Sequence, residues 1–226
     1  MVSADYQRYA VYVTPEGPLA KAGAAWLGWD IAQGRAVPHP VLPGVDVAAL
    51  TDAPRKYGLH GTIKPPFFLA DGHTAQALTQ ALTTLCQTLR PVTLDGLEVR
   101  ALRHFIALCP MGDQAKLSAL AATVVKTLDP FRRPPDTAEL ARRRKAPLTP
   151  PQEAHLTAWG YPYVLDEFRF HLTLTGKTEA AALLPALTAH FAPHLPRPFT
   201  VDSLTLAGQD AHGMFHEITR VPLAGS

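Results

Sequence analysis

The sequence has few of the features that assign a chain to a class at once. It contains only two cysteines, Cys86 and Cys109, in apolar surroundings and without CxxC spacing. This favours reduced core thiols over a disulfide or a zinc site. Aromatic residues make up 8% of the chain and the formal net charge is only +2. No extended basic and aromatic track is therefore present to bind single-stranded nucleic acid.

Signals for membranes, secretion and metal binding are also missing. No apolar run reaches membrane-spanning length, and residues 1–8 lack the basic-then-apolar pattern of a signal peptide. We therefore expect a cytoplasmic, monomeric protein with no membrane partner. The ten histidines form no HxH, HExxH or HxxxD cluster of the kind that metal sites use. A metal-dependent hydrolase is for this reason a less favoured alternative.

Two short runs that read as strands carry a histidine and a threonine two residues apart. They are His60-Gly61-Thr62 and His171-Leu172-Thr173. Alternate residues of a strand share a face, so each pair is expected to line something polar. Two such strands suggest an active site built from two similar halves. The expected polar faces hold His60, Thr62 and Lys64 in the first run, and Arg169, His171, Thr173 and Thr175 in the second.

A third pair, His155 and Thr157, shows that the spacing alone is a weak signal. With ten histidines in 226 residues, about one His-x-Ser/Thr is expected by chance, and three occur. Thr149, followed by two prolines, predicts a helix start before this pair. Residues i and i+2 of a helix point in different directions, so this pair cannot converge on one group.

The order of the predicted elements repeats. A strand at 9–13 and a helix at 19–27 come first. In each half a motif strand then precedes a helix (74–89 or 179–191) and strand-like runs (92–99 and 104–109, or 199–206 and 214–221). The length of 226 residues and 47% hydrophobic content suit one domain of two lobes. We expect a pseudo-duplicated α+β fold, with two antiparallel-rich sheets facing across a central cleft and helices outside.

The segment 130–163 connects the motif-bearing halves, 1–129 and 164–226, after a helix predicted at 114–128. Asp136 and Glu139 have capping-box spacing, which predicts a short helix over 136–145. This helix ends in a basic cluster, and Arg132 and Arg133 precede it. The cations either complement the helix dipole in solvent or clamp an anion over the cleft. Arg133 and Arg143 are the candidates for the second role.

The two runs His60-Gly61-Thr62 and His171-Leu172-Thr173 resemble the paired His-x-Ser/Thr motifs of the 2H phosphoesterase superfamily. That superfamily includes LigT-like RNA ligases and 2′,3′-cyclic phosphodiesterases. The resemblance is closest to a bacterial branch often encoded beside phosphonate-utilisation genes. It implies the LigT-like fold and metal-independent phosphoester hydrolysis without a cofactor. It runs over most of the chain and is carried by residues 57–67 (YGLHGTIKPPF), 131–136 (FRRPPD), 139–144 (ELARRR), 159–163 (WGYPY) and 167–176 (EFRFHLTLTG).

The chemistry of phosphodiester cleavage agrees with this resemblance. One histidine takes a proton from the attacking oxygen and the other protonates the leaving oxygen; which does which stays open. Thr62 and Thr173 can donate hydrogen bonds to the non-bridging oxygens. Lys64 and Arg169 are candidates for phosphate contacts or cations that reach solvent, and Tyr57 for the cleft or the core.

The expected substrate is small and phosphorylated. Phosphonate breakdown by carbon–phosphorus lyase passes through a phosphorylated ribose cyclic phosphate, so the family's gene neighbourhood points to a ribose or nucleoside cyclic phosphate. RNA end processing by a cyclic phosphodiesterase or ligase-like enzyme is an alternative, because it would use the same two motifs. A noncatalytic nucleotide-binding module is a further alternative, although it would be expected to lose one histidine.

Overall fold

A seven-stranded antiparallel sheet is the centre of the computed structural model, which describes residues 6–225. The strands are β1 (Arg8–Val13), β2 (Trp29–Asp30), β3 (Arg35–Ala36), β4 (Gly61–Phe67), β5 (Val92–Leu94), β6 (Gly96–Leu102), β7 (Phe105–Met111), β8 (Leu172–Thr173), β9 (Phe199–Val201), β10 (Ser203–Gln209) and β11 (Phe215–Pro222). The helices are α1 (Gly17–Leu27), α2 (Val47–Arg55), α3 (Ala75–Cys86), α4 (Ala115–Thr127), α5 (Thr137–Arg143), α6 (Pro150–Trp159) and α7 (Ala180–Phe191).

The sheet consists of two halves that meet at one residue pair. Its strand order is β11-β10-β1-β4-β8-β7-β6, and the junction between β4 and β8 is the single antiparallel pair Gly61–Leu172. The α+β class is confirmed. The two expected sheets are the two halves of this sheet, and each half contains one motif strand.

The predicted repeat of elements is present. After each motif strand come a helix of twelve residues (α3 or α7), a short strand (β5 or β9) and two longer strands. The longer strands cross over: β6 and β7 extend the sheet from β8, whereas β10 and β11 join β1 and β4. Strands β5 and β9 pair with each other beside the main sheet. Each pair of longer strands thus lies in the half of the sheet that contains the other motif strand.

Local sequence signals account for the helices that cover this sheet. In α3, the buried residues Leu78, Leu82 and Leu85 recur at helical spacing, and the helix contacts β10 and β11. Its counterpart α7 contacts β6 and β7. Asp136 caps α5 and Thr149 forms a capping box with Gln152 at the start of α6, as the sequence predicts.

The second motif strand is much shorter than the predicted 169–175. The amides of Leu174 and Thr175 both donate to the Ile106 carbonyl. The amide of Ile106 in turn donates to Thr175 Oγ1 at 2.9 Å. A side chain therefore replaces a main-chain acceptor and ends the ladder. Thr175 is buried in this structural role and does not belong to a polar lining.

Residues 1–5 and 226 lie outside the described part of the chain. Most of the segment 1–8, for which no signal peptide is expected, is among these residues. The single domain over 1–226 stays a prediction. Within residues 6–225, no helix combines the length and the apolar character needed to cross a bilayer.

Gly61 should be intolerant of any side chain. A Cβ built at this position would lie 2.2 Å from the Phe170 ring, which packs beneath the junction pair. We expect Gly61→Ala to lower the free energy of unfolding by about 1–3 kcal/mol, because the strands must separate or Phe170 must move. Urea titration monitored by circular dichroism measures this.

Gly176→Ala is the matched control. The nearest atom to a Cβ at Gly176 is the Leu50 carbonyl oxygen at 3.4 Å, so this variant should differ little from the parent. Equal losses in the two variants would contradict the steric account of the junction.

Candidate active site

The four residues of the two motifs share one face of the sheet at its junction. Gly61 and Leu172 form the pair, and in an antiparallel ladder the flanking residues face each other. His60 is therefore opposite Thr173, and Thr62 is opposite His171. Leu172 is fully buried on the other face. The two motifs thus bring two imidazoles and two hydroxyls together, as the sequence predicts.

Both imidazoles are oriented by the same contact. His60 Nδ1 lies 2.9 Å from the Gly58 carbonyl oxygen, and His171 Nδ1 lies 2.8 Å from the Arg169 carbonyl oxygen. In each case the carbonyl belongs to the residue two positions earlier. A carbonyl only accepts, so Nδ1 must carry the hydrogen in both rings. In the neutral form each Nε2 is then left with a lone pair for proton transfer.

A tight turn before β4 produces this orientation of His60. Gly58 has φ +65°, a left-handed conformation that favours glycine. A Cβ at Gly58 would also lie 2.7 Å from Ile31 Cβ. The turn therefore depends on glycine both for its backbone angle and for space.

The surroundings of His60 favour its neutral form. Its ring centroid lies 3.9 Å from that of Tyr12 and 5.8 Å from that of Tyr57. Burial lowers the pKa of His60 to about 4; the Gly58 carbonyl opposes this shift and the nearby charge of His171 adds to it. Near neutral pH, His60 is therefore an uncharged imidazole that can accept a proton. The His171 ring lies beside the Phe105 ring, with centroids 5.6 Å apart.

Beyond His60 lies a group of tyrosines that sequence reasoning only partly identified. The Tyr12 hydroxyl is buried and has no hydrogen-bond partner among residues 6–225. Burial raises the pKa of Tyr12 well above its ordinary value, Tyr57 and Tyr161 add to the shift, and Arg8 opposes it. Tyr57 was a predicted site residue, whereas Tyr12 and Tyr161 were missed. Alternation along β1 could have identified Tyr12, because it places the Tyr12 side chain on the opposite face of the strand from Val11 and Val13.

Lys64 is buried in an ion pair and is not accessible to a substrate phosphate, in contrast to the prediction. Between the pairs Val11–Lys64 and Tyr12–Thr62, β4 advances two residues while β1 advances one. This bulge breaks the alternation that would have placed Lys64 beside Thr62. Lys64 is only 2% exposed, and its Nζ donates to Asp129 Oδ1 at 3.3 Å and to the Val125 carbonyl. Burial lowers the pKa of Lys64 to about 8, although Asp129 partly restores it.

The predicted arginines occupy different surroundings. The Arg143 guanidinium lies 4.7 Å from the Tyr161 ring centroid. Its buried Nε has no hydrogen-bond partner in the part of the chain that the structure describes. Arg133 is exposed, with its guanidinium 4.5 Å from the Phe68 ring. Arg169 is also exposed and donates to the carbonyls of Asp166 and Phe168. For Arg133 and Arg169 these contacts are local, so their role in binding stays a prediction.

A titration of the folded protein tests the environment of His60. Because its pKa in the folded state is about 4 rather than the ordinary 6.5, the unfolded chain takes up this proton first as the pH falls. The contribution of neutral His60 to stability is therefore complete above about pH 6.5 and is lost as the pH falls towards 4. One imidazole resonance in NMR spectra should titrate near 4 and be absent from His60→Ala. If the resonance that disappears in His60→Ala titrates near 6.5, this would contradict the account in which burial lowers the pKa of His60.

Comparison with known proteins places this chain in a family. A family model described as "Protein of unknown function (DUF1045)" matches residues 62–216. A ribose 1,5-bisphosphate phosphokinase PhnN of Janthinobacterium sp. (strain Marseille) is 36% identical over 236 residues, which cover 99% of this chain and 52% of that protein. The protein of the same name from Laribacter hongkongensis (strain HLHK9) is 32% identical, with coverages of 95% and 51%. The chain thus spans about half the length of the curated relatives it matches.

Solved structures also align with this chain over nearly its whole length. The protein TT0787 of Thermus thermophilus aligns with a TM-score of 0.48 at 14% identity, covering 97% of this chain and 99% of that one. LigT of E. coli complexed with 3′-AMP aligns with a TM-score of 0.45 at 17% identity and the same coverages. The family match covers well over half of the residues, and the chain therefore belongs to the family described as protein of unknown function DUF1045.

Proposed function

We propose that this chain is a metal-independent phosphoesterase that hydrolyses a small cyclic phosphodiester, a ribose or nucleoside cyclic phosphate, by general acid–base catalysis. The observation that carries the proposal is the matched orientation of His60 and His171. Each donates Nδ1–H to the carbonyl two residues earlier, and both flank one residue pair of the sheet. Two imidazoles beside two hydroxyls are the groups that this reaction requires.

In the proposed reaction one water molecule is added and one ring ester bond is broken. The base imidazole accepts a proton at Nε2 from the attacking water, whose oxygen forms a new bond to phosphorus. The bond from phosphorus to one ring oxygen breaks, and the acid imidazole gives its Nε2 proton to that oxygen. The products are a phosphate monoester and a free hydroxyl, and solvent returns both histidines to their starting forms. Thr62 and Thr173 donate to the non-bridging oxygens.

His60 is the better candidate for the base. The half-buried position against Tyr12 keeps His60 uncharged near neutral pH, and a base must start in the unprotonated form. His171 is then left with the role of the acid. A pH–rate profile of two interacting acid–base groups reports apparent values that belong to the pair.

The names of the curated relatives support a ribose-based substrate. Both are ribose 1,5-bisphosphate phosphokinases, although this chain covers only about half of each. Hydrolysis of a cyclic phosphodiester on a ribose that carries another phosphate yields a ribose bisphosphate, the class of compound in that name. The two halves of the relatives would then catalyse consecutive reactions.

The kinase activity itself is better assigned to the half of the relatives that this chain does not match. A phosphate-binding loop for ATP has the pattern GxxxxGK[S/T]. The one Gly-Lys-Thr sequence of this chain is at 176–178, and the position that needs the first glycine is His171. The residue that the proposed hydrolysis requires therefore occupies the place that the loop would need.

Loss of either histidine should remove most activity without unfolding the protein. We expect His60→Ala and His171→Ala to lower kcat/KM by about 10²–10⁴-fold each, because general acid–base groups contribute on this scale. Thr62→Ala and Thr173→Ala should be milder, since each removes one hydrogen bond. His155→Ala is the matched control: its ring lies on α6 and binds Asp166 at 2.5 Å. Activity that survives in both His60→Ala and His171→Ala would refute the mechanism.

A panel of substrates tests the proposed class. Purified protein is offered ribose cyclic phosphates, 2′,3′-cyclic nucleotides and RNA ending in a cyclic phosphate, with His60→Ala as the blank. We expect turnover of small cyclic esters, undiminished by EDTA because no step uses a metal. Turnover of the RNA alone would favour RNA end processing, and turnover of none would favour a noncatalytic nucleotide-binding module. Loss in EDTA that Zn²⁺ or Mn²⁺ restores would favour a metal-dependent hydrolase.

A further inference from the structure

The two imidazoles have equivalent carbonyl contacts, but the two halves of the chain produce these contacts in different ways. In the first half the acceptor is the carbonyl of Gly58, which lies in a left-handed turn with φ +65°. The corresponding acceptor in the second half is the carbonyl of Arg169. Among residues 6–225, the residues other than glycine with positive φ are Arg103 and Leu165, so Arg169 does not adopt this conformation. The second half therefore needs another means of holding its acceptor.

The Arg169 side chain is bonded to the main chain of its own segment. This segment lies between the short 3₁₀ helix Leu165–Glu167 and β8, and it belongs to neither. Its carbonyls, and those at the end of the 3₁₀ helix, consequently need partners outside regular secondary structure. Arg169 Nη1 donates to the Asp166 carbonyl at 2.9 Å and to the Phe168 carbonyl at 2.7 Å. One nitrogen thus ties together two carbonyls that precede the acceptor of the second histidine.

We propose that Arg169 is a positioning residue for His171. Its guanidinium fixes the main chain of the segment, so that the Arg169 carbonyl stays in place to accept Nδ1–H and Nε2 remains the atom available for proton transfer. The inference rests on the proposed function for the role of His171 as the acid. The orientation of the ring itself does not depend on any substrate.

The covalent geometry explains how this side chain can act on the carbonyl. The hydrogen bond from Nη1 to the Phe168 carbonyl closes a ring of atoms that contains the N–Cα bond of Arg169, so it restricts φ at this residue. The hydrogen bond from His171 Nδ1 closes a second ring, which begins at the Arg169 carbonyl. Between the two rings only the Cα–C bond of Arg169 remains. Phe168 and Phe170 are buried on either side of this bond, and their packing in the core resists rotation about it.

The turn before this segment also depends on external support. Leu165 has φ +55°, in the left-handed region that is unfavourable for a residue with a β-carbon. The Phe168 amide donates to the Leu165 carbonyl and closes the turn. Arg169 reaches back into the same turn through its bond to the Asp166 carbonyl. The guanidinium therefore stabilises a turn that the backbone preference of leucine opposes.

A direct contact between Arg169 and a substrate phosphate leads to a different expectation. The Arg169 side chain is exposed, and a cation that only binds the substrate would change its affinity and leave the histidine ring as it is. A positioning residue acts on the ring even without substrate. The two roles are therefore separated by a measurement on the free protein.

The first test measures the tautomer of His171 in the free protein. The nitrogen-15 shifts of the ring are recorded at about pH 9, where an ordinary imidazole is neutral, and are assigned with His171→Ala. We expect the parent protein to show only the Nδ1–H form. Arg169→Met keeps the side-chain stem without a donor. The two nitrogen shifts should then move towards each other as the Nε2–H form becomes populated, because the hydrogen bond of one ring nitrogen sets the tautomer. His60 should keep the Nδ1–H form in both proteins, since Gly58 holds it.

The second test compares the kinetics of the variants on a small cyclic phosphodiester. We expect Arg169→Met to lower kcat at least about 10-fold, the scale of a charge-assisted hydrogen bond, with KM within about 3-fold of the parent value. Arg169→Lys keeps the charge but lacks the planar fork, so it should recover part of kcat. Arg35→Met is the matched control and should leave both constants unchanged. Arg35 is also exposed, and its guanidinium donates to the Gln33 side chain.

Two results would overturn the inference. One is a His171 ring that stays in the Nδ1–H form in Arg169→Met. The other is a raised KM with the parent kcat in Arg169→Met, restored by Arg169→Lys, which would assign Arg169 to the substrate. If the parent protein hydrolyses no cyclic ester, the proposed function alone fails, and the tautomer comparison still decides whether Arg169 orients His171.

Discussion

The single pair Gly61–Leu172 is the contact on which the rest of the structure depends. It joins the two halves of the sheet, and both His-x-Thr motifs are centred on it. Because the pair is antiparallel, the histidine of each motif is brought opposite the threonine of the other. Phe170 fills the space beneath Gly61 and buries the opposite face. Only a residue without a side chain permits the close approach that brings the two motifs together.

A second interaction attaches the connecting segment to the first motif strand. Asp129 accepts hydrogen bonds from Lys64 and from both Nε and Nη2 of Arg132. Burial alone would raise the pKa of Asp129, but the two cations hold it below its ordinary value. Arg132 also donates to the Ala158 carbonyl at the end of α6. Removal of Asp129 would leave a buried lysine without its ion-pair partner, so the position of α6 beside the sheet depends on this carboxylate.

The sequence predicted the elements whose signals are local. Capping residues and apolar periodicity identified α3, α4, α5, α6 and α7. The paired motifs predicted four site residues, and these residues flank the junction pair. The failures have long-range causes. Helix α2 was missed because proline stands at its end and in the segment before it. The role of Lys64 was wrong because a bulge against β1 reverses the alternation, and the alternation of one strand alone does not show this. Tyr12 was missed because its contact with His60 joins distant parts of the chain.

The duplicated fold gives two imidazoles the same geometry, but acid–base catalysis needs two imidazoles that behave differently. The carbonyl contacts are equivalent within 0.1 Å, at 2.9 and 2.8 Å. The difference arises from the neighbouring strands, which the repeat does not make equivalent. The Tyr12 ring covers His60 at 3.9 Å, whereas Phe105 lies 5.6 Å from His171. Burial against β1 therefore keeps one member of a symmetrical pair uncharged near neutral pH, which is the starting form that the proposed mechanism requires of its base.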